Sequence, residues 1–242
     1  MIKVIVCKDY EEVSDKAAEI MLDVVKSNPK AVLGLATGSS PIGLYQRMIK
    51  DHQENNTSYA EITTFNLDEY VGLNPDHPQS YHTFMHENLF NHLDIKKENV
   101  NLPSVLGDDM QANCDAYNEL LSKYSINLQL LGIGSNGHLA FNEPGTPFDS
   151  VTQVVDLVES TIQDNARFFD YDLSKVPTQS ITMGIENIME AEKILLIASG
   201  KNKAEAIYQT VKGEVSTDWP ASILQRHQDV TVVVDEEAAS LL

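Results

Sequence analysis

The chain has 242 residues, 42% of them hydrophobic and 22% charged, which suits one or two globular domains with a sizeable buried core. Its 17 lysines and arginines against 36 aspartates and glutamates leave a formal charge of −19, which disfavours non-specific binding to nucleic acid or to an anionic membrane surface. No apolar run approaches the ~20 residues of a membrane span and residues 1–7 are too short for a secretory signal, so we expect a cytoplasmic protein.

Short apolar runs alternate with stretches of helical periodicity along the chain. Strands are predicted at 2–7, 31–36, 62–67, 128–133, 153–158, 193–198 and 230–234. Helices are predicted at 13–25, after Pro41, after Ser80, at 110–124 and at 201–212. This alternation is typical of a doubly wound, Rossmann-like α/β fold, with a mostly parallel sheet and helices on both faces.

No linker, repeat or low-complexity stretch divides the chain, so we expect a single α/β domain over residues 1–242. The stretch 160–180 is the least regular, and we interpret it as a mobile lid rather than a domain boundary. Ligands of such folds bind at the carboxyl ends of the strands, so the segments that follow the predicted strands are the candidates for a site.

Four polar segments follow predicted strands and should converge at one edge of the sheet: 37–40, 68–70, 132–143 and 199–203. In the first, Thr37-Gly38-Ser39-Ser40, small residues precede a helix that begins at Pro41, a pattern typical of an anion-binding loop. An ordinary capped turn fits that segment equally well. In the second, Asp68 could take a proton from a carbon next to a carbonyl, although Asp after a strand also commonly caps a turn.

The loop 132–143 carries three residues suited to acid–base chemistry: Asn136, His138 and Glu143. A carboxylate near a histidine can fix its tautomer and raise its basicity, which gives a general base near neutral pH. The same loop contains a formal G-x-G-x-x-G, with Asp156 near the distance of a ribose-binding acid. Pro144 and Gly145 follow where a dinucleotide site needs a helix, so NAD or FAD binding is disfavoured.

Neither the histidines nor the cysteines predict a metal site. His82 and His86 lie four residues apart on one predicted helical face, but no third ligand accompanies them, so a structural pair is favoured. Cys7 and Cys114 are too few for a disulfide framework or a four-ligand zinc site, and we interpret them as buried, reduced thiols.

The polar segments belong to longer motifs that closely resemble those of the glucosamine-6-phosphate deaminase family. The matching stretches are LGLATGSSP at 33–41, FNLDEYVGL at 65–73, SYHTFM at 80–85, GIGSNGHLAFNEP at 132–144, NARFF at 165–169 and GKNKA at 200–204. They occur in the family's order and cover nearly the whole chain, which makes them far more specific than any short pattern here.

The resemblance implies the fold shared with ribose-5-phosphate isomerase and 6-phosphogluconolactonase. It implies conversion of glucosamine 6-phosphate and water to fructose 6-phosphate and ammonia, with no metal or redox cofactor. In that reaction His138, positioned by Glu143, would open the sugar ring, and Asp68 would move a proton from carbon 2 to carbon 1. The phosphate would be held by Thr37, Gly38, Ser39, Ser40, Arg167 and Lys203, so that the pocket is positive although the chain is acidic.

Two departures from the family pattern bear on mechanism and regulation. Many relatives carry Asp where Asn136 stands, and an amide can orient a hydroxyl or His138 but cannot act as a carboxylate base. Gln153 and Val155 stand where allosteric members have basic residues, and the chain ends soon after Val234. We therefore expect an unregulated enzyme, monomeric or weakly associated as a homo-oligomer.

Three alternatives stay open on the sequence. 6-Phosphogluconolactonase shares the fold but lacks the FNEP and NLDEY runs of this chain. Galactosamine-6-phosphate deaminase differs in the direction of one substrate hydroxyl, which sequence does not resolve. A sugar-phosphate-sensing domain of a transcription regulator predicts an attached DNA-binding unit, and the first predicted strand here begins at residue 2.

Overall fold

The computed structural model describes residues 2–166 and 169–242. The strands are β1 (Lys3–Cys7), β2 (Val32–Leu35), β3 (Thr63–Asn66), β4 (Asp68–Tyr70), β5 (Val100–Asn101), β6 (Leu128–Leu131), β7 (Gln153–Asp156), β8 (Gln179–Thr182), β9 (Ile194–Ala198) and β10 (Val230–Asp235). The α-helices are α1 (Tyr10–Ser27), α2 (Ile42–Asn55), α3 (Tyr81–Asn88), α4 (Met110–Leu121), α5 (Glu159–Asn165), α6 (Ile185–Met189) and α7 (Ala204–Val211). Every strand predicted from the sequence is present, with ends that differ by at most two residues.

The main sheet has seven strands in the order β1-β10-β9-β6-β2-β3-β5, and every neighbouring pair is parallel. Its central strands β2, β6 and β9 are buried along their whole length, which explains why they are nearly continuous apolar runs, interrupted only by Gln129 in β6, rather than alternating patterns. Six of the seven predicted strands belong to this sheet, and the mostly parallel α/β class predicted from the sequence is confirmed.

A second sheet corrects two of the sequence predictions. It has three antiparallel strands in the order β4-β8-β7. The predicted turn at Asp68 is the strand β4, and the predicted strand at 153–158 pairs in this sheet rather than in the parallel one. Asp68 lies opposite Thr182, more than a hundred residues away, so the pairing that makes β4 a strand leaves no local signal in the sequence.

Helix starts agree with the capping residues in the sequence. Asp9 accepts a hydrogen bond from the Glu12 amide at the start of α1, which begins three residues before the predicted helix. Ser80 accepts one from the Thr83 amide at the start of α3, where the sequence predicts a helix after Ser80. Pro41 lies one position before α2 rather than at its first residue. Within the described residues, no helix combines the length and apolar character that crossing a membrane requires.

Candidate active site

The four polar segments leave neighbouring strands of the main sheet. In the order β9-β6-β2-β3, each strand is followed by one of them, so the loops share one edge, as the sequence predicts. Lys203 Nζ donates to the Ile133 carbonyl at 2.8 Å, which joins two of these loops directly. The Tyr81 hydroxyl of α3 hydrogen-bonds the Thr37 side chain of a third loop.

Asp68 begins β4 directly after the end of β3 and is only 6% exposed. Burial disfavours the charged carboxylate, and the neighbouring charge of Glu69 adds to that effect. Together they raise the pKa of Asp68 to about 8. A carboxyl group with a pKa near neutrality can take up and return a proton at physiological pH, which is the property that a general base needs.

Hydrogen bonds hold the loop 132–143 beside Asp68. The Phe141 amide donates to Thr182 Oγ1 at 3.1 Å, and Thr182 is the residue opposite Asp68 in the antiparallel pair. Asn142 Nδ2 donates to the Met183 carbonyl at 2.9 Å, and the Met183 amide in turn donates to the Leu67 carbonyl at 2.7 Å. The strand that pairs with β4 therefore also anchors the histidine loop.

His138, Glu143 and Asn136 form one connected group. The Nδ1 atom of His138 lies 3.3 Å from Oε1 of Glu143, and Asn136 Nδ2 donates to the other carboxylate oxygen at 2.7 Å. The Oδ1 atom of Asn136 accepts the His138 amide at 3.2 Å. Burial alone would raise the pKa of Glu143, but the nearby His138 imidazole, together with the Asn136 amide, outweighs it and lowers that pKa. Glu143 is thus an ionised carboxylate beside the imidazole.

The glycines of this loop make room for the imidazole. A Cβ atom on Gly134 would lie 2.4 Å from ring atoms of His138, so only glycine fits there. Gly137 has a φ of +81°, and the residues after it form turns and a short bridge rather than a helix. The formal dinucleotide motif therefore lacks the helix that dinucleotide binding needs.

The loop 37–40 lies open at the start of α2. Gly38 has a φ of +89°, and Gly38 and Ser39 are exposed while Thr37 and Ser40 are half-buried. The Tyr10 hydroxyl fixes the loop from behind, donating to the Ser39 carbonyl at 3.1 Å and accepting the Gly43 amide at 2.9 Å. An anion at this point would meet the positive end of the α2 dipole.

A buried acid supports the segment that carries Lys203. Both oxygens of Asp235, at the end of β10, lie within 3.0 Å of the Gly200 amide, and Gly200 has a φ of +93°. Asp235 was not identified from the sequence, because its partner lies 35 residues away. Arg167, the other predicted phosphate ligand, lies outside the described residues.

A group of hydroxyls beside Asp68 was also missed. The Tyr81 hydroxyl donates to the Tyr70 hydroxyl at 3.0 Å, and Asn165 Nδ2 donates to the same Tyr70 oxygen at 2.7 Å. Tyr81 lies in the SYHTFM motif that carries the family resemblance, but no local pattern in the sequence shows that its hydroxyl reaches Tyr70.

A cavity of about 330 Å³ lies beside Glu69 and is lined by His82, His86 and Lys97 among others. The ring centres of His82 and His86 are 4.5 Å apart. Among the residues that the structure describes, no group of three or more His, Cys, Asp or Glu side chains could hold a metal ion.

The buried carboxyl group of Asp68 and the imidazole–carboxylate pair of His138 and Glu143 lie on segments at the carboxyl edge of a parallel sheet. This arrangement is typical of α/β enzymes that perform acid–base chemistry on small molecules. Sequence comparison places the chain within a family of that class. It belongs to the glucosamine-6-phosphate isomerases/6-phosphogluconolactonase family, whose model matches residues 9–233.

Curated relatives resemble the chain over nearly its full length. The glucosamine-6-phosphate deaminase of Thermoanaerobacter sp. (strain X514) is 52% identical over 241 residues, covering 99% of this chain and 95% of the relative. The protein of the same name from Halalkalibacterium halodurans is 50% identical over 237 residues, covering 98% and 96%.

Two solved structures resemble the chain to different degrees. A structure described as a monomeric glucosamine-6-phosphate deaminase superposes with a TM-score of 0.96 at 50% identity, covering 99% of this chain and 100% of that one. The 6-phosphogluconolactonase of Trypanosoma cruzi superposes with a TM-score of 0.81 at 19% identity, covering 100% and 97%. The second likeness shows the fold alone.

Proposed function

We propose that this chain converts glucosamine 6-phosphate and water to fructose 6-phosphate and ammonia. The observation that carries the proposal is the placement of a buried carboxyl group, Asp68, and an imidazole–carboxylate pair, His138 and Glu143, on hydrogen-bonded segments at one sheet edge. Deaminases at about 50% identity over the full chain support the choice of substrate.

Ring opening is assigned to His138. The imidazole takes the proton of the anomeric hydroxyl and returns one to the ring oxygen as the carbon–oxygen bond breaks. Glu143 orients the ring and stabilises its protonated form from 3.3 Å. Asn136 holds Glu143 and the His138 backbone at once, so its role is to orient both, and it supplies no base of its own.

Isomerisation is assigned to Asp68. Its carboxylate removes the proton from carbon 2 of the open-chain amino sugar, which leaves the enolamine as its enolate, with the negative charge on oxygen 1. The same proton is then delivered to carbon 1, and a proton passes from the nitrogen to oxygen 1. The product is an imine at carbon 2. Water adds to the imine, the carbinolamine expels ammonia, and the ketose remains. A pKa of about 8 suits a group that must both accept and return the proton.

The phosphate is assigned to the open loop Thr37, Gly38, Ser39 and Ser40 at the start of α2, with Lys203 as a counter-charge. Lys203 reaches the Ile133 carbonyl, so its ammonium group is held at the edge where the loops meet. Arg167 is included in this assignment because the resemblance implies it. We also propose a single domain with a mobile lid at about 160–180, as the sequence predicts.

The proposed enzyme is not regulated by an anionic activator and does not depend on a stable oligomer. Gln153 and Val155 lie half-buried on β7, and neither offers a charge to such a ligand. One similar structure is described as monomeric, so we propose a monomer or a weak homo-oligomer. We place it in the cytoplasm, with an amino-sugar phosphate as its ligand. The proposal includes no nucleic acid, membrane or cofactor. Sigmoidal rate curves relieved by N-acetylglucosamine 6-phosphate would contradict this.

The decisive experiment measures ammonia and fructose 6-phosphate released from glucosamine 6-phosphate by the purified chain, with and without a chelator. Galactosamine 6-phosphate and 6-phosphogluconolactone are assayed in parallel, and Asp68→Asn is the inactive control. Equal amounts of the two products, unaffected by the chelator, are expected from the wild type. Turnover of the lactone alone would transfer the chain to the lactonase branch, and binding of all three without turnover would favour a sensor.

A further inference from the structure

Glu69, the residue after Asp68, is buried on the other side of β4. It is 2% exposed, and because side chains alternate along a strand, its carboxylate points away from the side that Asp68 occupies. Its oxygens accept three backbone amides: Oε1 from Tyr70 and Tyr81 at 2.9 Å each, and Oε2 from His82 at 2.8 Å.

Two of these amides belong to the first turn of α3. The first amides of a helix lack partners within the helix, and Ser80 satisfies only that of Thr83. Glu69 supplies acceptors for Tyr81 and His82 from a different element. Hydrogen bonds from amides to a buried carboxylate are strong, and those of Glu69 connect the start of α3 to β4.

The two elements joined by Glu69 both reach the proposed site. Asp68 begins β4, and the Tyr81 hydroxyl extends from α3 to Tyr70 and to the phosphate loop at Thr37. A change in the packing of α3 against β4 would therefore move the proposed base relative to the proposed phosphate site. A displacement of 1 Å is enough to lower a rate by about 100-fold.

The charge of Glu69 also acts on Asp68. The titratable side chains whose charges interact with Asp68 are Glu69, Tyr70, Tyr81 and Tyr117, and of these Glu69 alone is a carboxylic acid. Burial raises the pKa of Glu69 as well, while its three amide hydrogen bonds favour the charged form. On its own face Glu69 meets the cavity lined by His82, His86 and Lys97. Burial first, then this charge, raises the pKa of Asp68.

We propose that Glu69 is a positioning residue of the proposed deamination, which fixes the strand of Asp68 against the first turn of α3 and sets the pH range in which Asp68 transfers protons. The inference rests on the proposed function for its kinetic part only. Its geometric and electrostatic parts can be measured without turnover.

Two substitutions separate geometry from charge. Glu69→Gln keeps the length of the side chain and an acceptor for Tyr70 and Tyr81, but it removes the charge and the acceptor for the His82 amide. The acid limb of its kcat profile is expected to move down by about one pH unit, because Asp68 loses a neighbouring negative charge. Glu69→Asp keeps the charge but is one methylene shorter. Its acid limb should stay in place while kcat falls at least about 10-fold.

The exposed Glu87 on α3 provides the matched control, since Glu87→Gln removes a charge from the helix that Glu69 contacts without changing the hydrogen bonds of Glu69. The ionisation of Asp68 is also followed directly by carbon-13 NMR of labelled aspartate, which needs no substrate. A lower midpoint for Asp68 in Glu69→Gln supports the inference even if glucosamine 6-phosphate proves not to be the substrate. If both variants lose activity while the acid limb and the Asp68 midpoint stay unchanged, Glu69 serves only the stability of the fold. That result would overturn the inference.

Discussion

Replacing Asp68 by Asn should remove the proposed base and at the same time stabilise the fold in a pH-dependent way. An unfolded aspartate has a pKa of about 3.9, whereas burial raises that of folded Asp68 to about 8. Between these values the folded protein holds a proton that the unfolded chain has lost. The stability contributed by this group is complete below the unfolded pKa and disappears as the pH rises through the folded one.

The magnitude follows from the same two values. With one extra proton on the folded state, the free energy of unfolding falls by about 1.4 kcal/mol per pH unit, or about 3 kcal/mol between pH 5 and pH 7. The amide of Asp68→Asn does not titrate. The stability of the variant minus that of the wild type is therefore expected to increase by about 3 kcal/mol over this interval.

Urea unfolding at pH 5, 6 and 7, followed through the single tryptophan Trp219, measures this difference directly. Asp108→Asn is the matched control, because Asp108 is exposed, and its difference from the wild type should stay within about 0.5 kcal/mol. Other groups titrate in this range, but they are common to both proteins and cancel in the difference. Parallel stability curves for Asp68→Asn and the wild type would refute the raised pKa of Asp68.

Two further predictions test the histidine loop and the phosphate site. In Gly134→Ala the new methyl group meets the His138 ring at 2.4 Å, so kcat should fall by about 10- to 100-fold. Gly132→Ala, where no atom lies within 4 Å, should stay near the wild-type rate, and equal losses in both variants would contradict the steric argument. Lys203→Ala should mainly raise KM for glucosamine 6-phosphate, with the exposed Lys201→Ala as control, and a fall in kcat alone would argue against phosphate binding.

The main sheet was predictable because its signal is local. Strands buried on both faces are nearly continuous apolar runs, and β2, β6 and β9 are of this kind. Parallel order then brings the loops that follow these strands to one edge, so the segments with Asp68, His138 and Lys203 could be grouped before any coordinates. The second sheet escaped prediction because β4 has three residues and its partner strand lies far along the chain.

The contacts of Glu69 could not be predicted from the sequence. Asp68 and Glu69 follow the same strand, and the sequence singles out Asp68 as the candidate base but gives Glu69 no role. The extended conformation that β4 adopts when it pairs with β8 makes the two acids alternate, so that Asp68 lies on one face and Glu69 accepts amides of α3 on the other. The proposed roles of the two adjacent acids therefore depend on a strand more than a hundred residues away.

That arrangement ties the proposed activity to a cost in stability. Burial raises the pKa of Asp68 into the range that proton transfer needs, and the same burial makes the ionised form unfavourable in the folded protein. A substitution that relieves the cost, such as Asp68→Asn, also removes the group that would move the proton. If Asp68 is the base, the stability of Asp68→Asn relative to the wild type should be greater at pH 7 than at pH 5. The variant should also form no ketose at either pH.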